Sequence, residues 1–198
     1  MKVLVIKSSM TEKTGSFSSL LSDRFMKHYL ELHPEAEVTY LDLNEESAGI
    51  KSLTTNNFKE FWNPEDADKY INQLKSVDRV VMSTPMTNFH YPATTKNYID
   101  HICVADKTFS YKYSKKGDAI GLLTNLKVQL LTSQGAPLGW YPWGDHTENL
   151  RGIWNFLGAQ VAKPFILAGT KVAPATELSK EAYLDSFDAE IKALAAEF

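Results

Sequence analysis

Three stretches hold residue types suited to gripping a small molecule. Between Ser8 and Ser19, seven hydroxyl residues (Ser8, Ser9, Thr11, Thr14, Ser16, Ser18 and Ser19) fall within twelve positions. The apolar run Val3-Leu4-Val5-Ile6 precedes them and a helical pattern follows. A helix N-terminus offers unpaired N–H groups and a partial positive charge. Hydroxyls added to it make a phosphate cradle that needs no arginine. The second stretch, Ser83-Thr84-Pro85-Met86-Thr87-Asn88-Phe89-His90, follows the run Asp78-Arg79-Val80-Val81-Met82 and precedes another helix pattern. Such a turn puts backbone at the carboxyl edge of a sheet, where open α/β sheets bind ligands. The third, Ser133-Gln134-Gly135-Ala136-Pro137, ends the run from Lys127 to Thr132 in the same way.

Other chemistries are missing from the sequence. No G-x-G-x-x-G follows the first apolar run, and no G-x-x-x-x-G-K-[ST] occurs, which argues against a Rossmann dinucleotide site and a P-loop. No G-x-S-x-G elbow supports a hydrolase. The five histidines, at 28, 33, 90, 101 and 146, show no metal-ligand spacing; His90 and His146 are the two that could donate a proton in a loop. The one cysteine, Cys103, can form no internal disulfide. A net charge of −3 predicts no nucleic-acid partner. No apolar run approaches the ~20 residues of a membrane span, and the start is too short for a signal h-region. These features point to a soluble, cytoplasmic, reduced protein.

The positioning elements read as follows. Val3 to Ile6 is a strand buried on both faces, as in a parallel sheet. Leu21, Phe25, Tyr29 and Leu32 mark a helix that Pro34 ends. Val38 to Leu43 alternates as a more exposed strand would. Asn44 to Asn63 is irregular and aromatic, a lid, a partner surface or a packed excursion. Glu65 to Lys75 reads as a helix and Asp78 to Ser83 as the third strand. Pro92 to Val104 is the most regular helix, with Thr95, Tyr98, Ile99, Ile102 and Cys103 on one apolar face, so Cys103 reads as core. Thr108 to Tyr113 alternates as a hairpin arm before Lys115-Lys116-Gly117. Lys127 to Thr132 is the fourth strand, followed by an aromatic loop, Trp140-Tyr141-Pro142-Trp143-Gly144, that could wall a substrate pocket. Thr147 to Leu157 is a helix stopped by Gly158, Ala162 to Ala168 a fifth strand, and Ser179 to Phe198 a terminal helix presenting Leu184, Phe187, Ile191 and Leu194.

Five strand–helix repeats without a linker predict one domain over residues 1–198: an α/β three-layer sandwich with a five-stranded parallel sheet of the flavodoxin-like order. In that order the first and third strands are neighbours, so the three stretches converge. A monophosphate suits the hydroxyl cradle better than a pyrophosphate does, and backbone near Asn88 and Gln134-Gly135 could bond the edges of a flavin ring.

The residues also carry a family resemblance. Lys7-Ser8-Ser9, Ser16-Phe17-Ser18, Leu21-Ser22-Asp23, Pro85-Met86-Thr87-Asn88-Phe89, Lys96-Asn97-Tyr98, Thr108-Phe109 and Ser133-Gln134-Gly135 resemble the FMN-dependent NADH:quinone oxidoreductases, also called FMN-dependent NADH-azoreductases, over essentially the whole chain. The resemblance implies FMN held by Ser9, Ser16, Phe17, Ser18, Met86, Thr87, Asn88, Phe89, Ser133, Gln134, Gly135 and Ala136. It implies two-electron, ping-pong hydride transfer from NADH to quinones and aromatic azo compounds. It also implies a homodimer with interface active sites, to which Tyr111 and Phe156 would bring substrate-facing rings. Thr87 stands where the family often has Tyr or Trp, and Gln134 where it often has Arg. The rival reading is a flavodoxin-like electron carrier with no NADH-dependent activity of its own. The balance of 24 acidic and 21 basic residues and the two aromatic insertions favour an enclosed pocket instead.

Overall fold

The structure is a computed structural model that describes residues 1–12, 15–112 and 119–198. Thr14, Tyr113 and Lys115-Lys116-Gly117 lie outside the described residues. In chain order the elements are β1 (Lys2–Lys7), α1 (Phe17–Leu32), β2 (Glu37–Asp42), α2 (Ser47–Ile50), a π-helical turn (Pro64–Asp68) running into α3 (Lys69–Lys75), β3 (Arg79–Pro85), α4 (Ala93–Ile102), β4 (Phe109–Ser110), β5 (Ile120–Gly121), β6 (Lys127–Ser133), α5 (His146–Phe156), β7 (Gln160–Val161), β8 (Phe165–Leu167), α6 (Lys180–Asp185) and α7 (Asp188–Glu197).

The two-residue period of a strand divides the apolar runs between two cores, one on each face of the sheet. Leu4 and Ile6 of β1, Val80 and Met82 of β3, and Val128 and Leu130 of β6 enter the core under α3, α4 and α5. Val3, Val5, Val81 and Leu131 enter the other, under α1, α6 and α7. Strands buried on both sides show as continuous apolar runs, which is why β1, β3 and β6 are visible in the sequence. The sheet is parallel in the order β2-β1-β3-β6, with the outer position beyond β6 shared by β7 and β8. This is the expected flavodoxin-like order.

The fifth strand differs from the expected Ala162 to Ala168. Pro164 has no N–H to give a ladder, so β7 and β8 pair separately with β6 and the register slips by one residue between them. The fully buried Gln129 covers the gap, its Nε2 donating to the carbonyl of Lys163 at 2.9 Å.

The terminal helix is also two helices. Phe187 lies between them and packs its ring on Phe165 and Tyr183, with centroids 6.0 and 5.2 Å away. On α1, Leu21, Phe25 and Tyr29 are buried as expected, whereas Leu32, the last helical residue, is exposed. The segment before α3 contains α2, a single helical turn the sequence does not reveal. The arm after α4 is a short hairpin of β4 against β5. Cys103 follows α4, half-buried against the core. Burial pushes its thiol up to about 12, so it stays protonated and unreactive at neutral pH.

The hairpin closes onto the end of α5 through two glycines. Gly158 has φ +95°, and a Cβ there would come within 2.7 Å of the Gly121 carbonyl carbon. Gly158→Ala is expected to lower stability by about 2–3 kcal/mol from the left-handed backbone and the clash combined, or roughly 5–10 °C in Tm. Urea unfolding should show the midpoint moving with m unchanged.

Candidate functional site

The turn after β3 is held by three backbone hydrogen bonds and contains two left-handed residues. Met86 N–H donates to the carbonyl of Ser133 at 2.6 Å, joining the ends of β3 and β6. Thr87 and His90 then exchange two backbone hydrogen bonds, N–H of Thr87 to O of His90 at 2.6 Å and N–H of His90 to O of Thr87 at 3.1 Å. The two residues between them are left-handed, Asn88 at φ 47° and Phe89 at φ 71°. Asn tolerates this conformation; for Phe it costs about 1–2 kcal/mol. Strain of this kind persists only where neighbouring structure over-determines it, and it clusters at ligand sites. The Phe89 ring packs on Trp143 and Tyr141 of the aromatic loop, with centroids 4.5 and 5.0 Å away.

Three cavities open around this turn, and Met86 lines all of them. The first, about 200 Å³, is bounded by Ser9, Thr11, Gly15, Ser16 and Phe17 on the β1 side and by Pro85, Thr87, Ser133, Gln134 and Gly135 on the other. The second, about 400 Å³, is walled by Asn88, Phe89, Ala136, Trp140 and Tyr141. The third, about 300 Å³, lies under the aromatic loop, between Gln134 and Tyr141. The sequence-predicted residues therefore meet in space, with three exceptions. Ser18 is buried beneath the cradle, its hydroxyl 3.0 Å from that of Ser16 and its carbonyl accepting from Ser83 Oγ at 2.6 Å. Tyr111 and Phe156 line none of the three cavities. They flank Phe109 in a separate exposed patch, with centroids 5.4 and 4.9 Å from it.

The electrostatics of the first cavity suit an anion. Ser16 caps α1, accepting from Ser19 N–H at 3.2 Å. The first turn of that sixteen-residue helix carries no acidic residue, so its positive end is not neutralised locally. No carboxylate lines the first or second cavity, and Lys171 is the one charged side chain among the described residues bounding either. Asp145 borders the third cavity, but its carboxylate is engaged at the start of α5, accepting from Glu148 N–H at 2.9 Å.

Comparison with known proteins agrees with this arrangement. The profile of the family described as flavodoxin-like fold matches residues 1–191. The chain is 56% identical over 197 residues to the FMN-dependent NADH:quinone oxidoreductase of Malacoplasma penetrans (strain HF-2), covering 100% of this chain and 93% of that relative. It is 57% identical over 199 residues to the enzyme of the same name from Mycoplasma mobile (strain ATCC 43663 / 163K / NCTC 11711), covering 100% and 98%. The chain belongs to the FMN-dependent NADH:quinone oxidoreductase family. Its fold also superposes on the crystal structure of azoreductase from Bacillus anthracis str. Sterne with a TM-score of 0.82, at 25% identity, covering 100% of this chain and 99% of that one.

The residues present fit the family's cofactor. Uncommitted helix N–H groups and neutral hydroxyls form the donor set a phosphate monoester needs, and the strained turn presents backbone next to a pocket wide enough for a planar ring. What the sequence reading missed is the last loop, Gly169-Thr170-Lys171-Val172, which borders the first two cavities. It too follows an apolar strand at the carboxyl edge of the sheet, and that position was the available signal.

Neither His90 nor His146, the first residue of α5, lines any of the three cavities. His90 is exposed against Tyr91. His146 is buried with Nε2 unpartnered, and burial lowers it to about 4, so it is neutral at pH 7 and holds no proton to give. In the unfolded chain an imidazole protonates near 6.5. His146 therefore leaves stability unchanged above that pH and subtracts from it as pH falls from about 6.5 to about 4. Denaturant titrations at pH 7 and pH 5 should differ by about 2 kcal/mol from this residue alone, and His146→Gln should remove that share of the difference.

Proposed function

We propose that this protein is a cytoplasmic FMN-dependent NADH:quinone oxidoreductase that also reduces aromatic azo compounds. The observation that carries the reading is the continuity, through Met86, of a carboxylate-free hydroxyl cradle with an aromatic-walled pocket. Bound FMN would supply the redox chemistry, taking a hydride from NADH and passing it with a proton from water to the acceptor. The protein's own residues bind and orient. Ser9, Thr11, Ser16 and the start of α1 hold the phosphate end. Backbone of Met86 to Phe89 and of Ser133 to Ala136 holds the ring. Phe89, Trp140 and Tyr141 wall the space left for a flat partner. Donor and acceptor would use that space in turn, NAD leaving before the acceptor enters, a ping-pong order. The patch of Phe109, Tyr111 and Phe156 is suited to a second copy of the chain, in whose site the exposed rings of Tyr111 and Phe156 would help to wall the acceptor.

Two measurements test this reading. The purified protein is expected to carry or take up FMN, and anaerobic mixing with NADH alone to bleach it rapidly. A protein that refuses FMN overturns the proposal, and FMN that NADH cannot reduce leaves only the electron-carrier reading. Ser16→Asp then tests the cradle. Asp caps a helix as well as Ser does, so the fold should persist, while its charge faces the phosphate. FMN affinity should fall at least tenfold and riboflavin affinity should change little.

A further inference from the structure

Among the described residues the aromatic pocket carries one charged side chain, Lys171. Lys171 follows β8, and its loop is tied to the Gln134 turn by four hydrogen bonds, one of them from Gly169 N–H to the Ala136 carbonyl at 2.9 Å. Thr170 N–H and Thr170 Oγ1 each donate to the carbonyl of Gln134 at 3.1 Å, and Lys171 N–H donates to the carbonyl of Gly135 at 3.0 Å. The Lys171 stem lies across Gly135 so closely that a Cβ there would come within 2.9 Å of Lys171 Cδ and 3.0 Å of Cγ. Lys171 is exposed and makes no ion pair among the described residues. It borders the second cavity beside Phe89, Trp140 and Tyr141, with no carboxylate there to neutralise it.

A pocket with flat aromatic walls and a single free cation on its edge has a chemical preference. A planar ring stacks against the walls, and an acidic substituent at the rim meets the ammonium instead of open water. We propose that Lys171 makes this pocket selective for planar aromatic acceptors that bear a negatively charged group, a sulfonate or a carboxylate. The proposal rests on the reading of that pocket as the acceptor site. Because the ammonium is exposed, its effect is modest, roughly three- to fivefold in affinity at low salt, and it shrinks as the Debye length shortens.

The test uses the FMN-loaded protein and two acceptors of nearly equal shape, anthraquinone-2-sulfonate and its uncharged 2-hydroxymethyl analogue. Binding is read at equilibrium from the perturbation of the flavin absorbance, and FMN content per chain is measured for every variant. Wild type should bind the sulfonate about three- to fivefold more tightly than the neutral analogue at low salt, and the preference should fade at high salt. Lys171→Gln should abolish the preference by weakening the sulfonate alone, Lys171→Glu should reverse it, and Lys171→Arg should retain it. Equal affinities in wild type, a preference insensitive to salt, or equal losses for both acceptors in Lys171→Gln would overturn the proposal. A failure of the broader reading looks different, since then neither FMN nor the neutral acceptor is bound.

Discussion

The site depends on three parallel strands whose ends lie within two residues of one another in register. Lys7 of β1 pairs with Ser83 of β3, and Pro85 at the end of β3 pairs with Ser133 at the end of β6. Parallel strands carry all their following loops to one edge, so this register alone gathers the hydroxyl loop, the strained turn and the Gln134 turn. Their contacts are then short-range consequences: Ser8 N–H donates to the Ser83 carbonyl at 3.2 Å, Ser83 Oγ to the Ser18 carbonyl at 2.6 Å, and Met86 N–H to the Ser133 carbonyl at 2.6 Å. Each bond ties the base of one loop to its neighbour. The loop tips are left to face the ligand.

That bracing explains how Asn88 and Phe89 can both stay left-handed. The turn has fixed ends, at the Met86–Ser133 bond and at the Thr87–His90 pair, and Phe89 is further held between Tyr141 and Trp143. Relaxing Phe89 would break the pair or withdraw the ring from its neighbours. The conformational cost of about 1–2 kcal/mol is therefore smaller than the interactions that would be lost. The result is a rigid floor, suited to a ring whose chemistry depends on orientation more than on acid–base groups.

The parts legible in the sequence are those set by local pattern. Buried parallel strands announce themselves as apolar runs, and the amphipathic faces of α1 and α4 give the layers. Once β1 and β3 are neighbours, the meeting of Ser16 with Met86 and Gly135 follows. The parts that were not legible depend on tertiary packing. The break of the outer strand is visible only as Pro164, and the decision to continue beyond it is made by Gln129 from the neighbouring strand. The split at Phe187 depends on Phe165 and Tyr183 being in place to receive the ring. Tyr29 meets the ring of Phe198 at 5.8 Å, whereas Leu32, three residues on in the same stripe, is exposed, a difference that no period reveals.

The outer strand's irregularity also bears on the charge of the site. Between β7 and β8 the pairing with β6 slips by one residue, and a slip of one residue exchanges the faces on which side chains emerge. After the slip, Leu167 pairs with Ser133, its carbonyl accepts from Gln134 N–H at 2.9 Å, and Gly169 N–H donates to the Ala136 carbonyl at 2.9 Å. That phase lays Lys171 across Gly135. With the register of β7 continued, the loop would run one residue out of step and a different side chain would cover Gly135. Pro164 thus does more than end a strand: it marks the slip after which Lys171 and Val172 border the aromatic pocket, and Lys171 is the only cation the pocket has among the described residues.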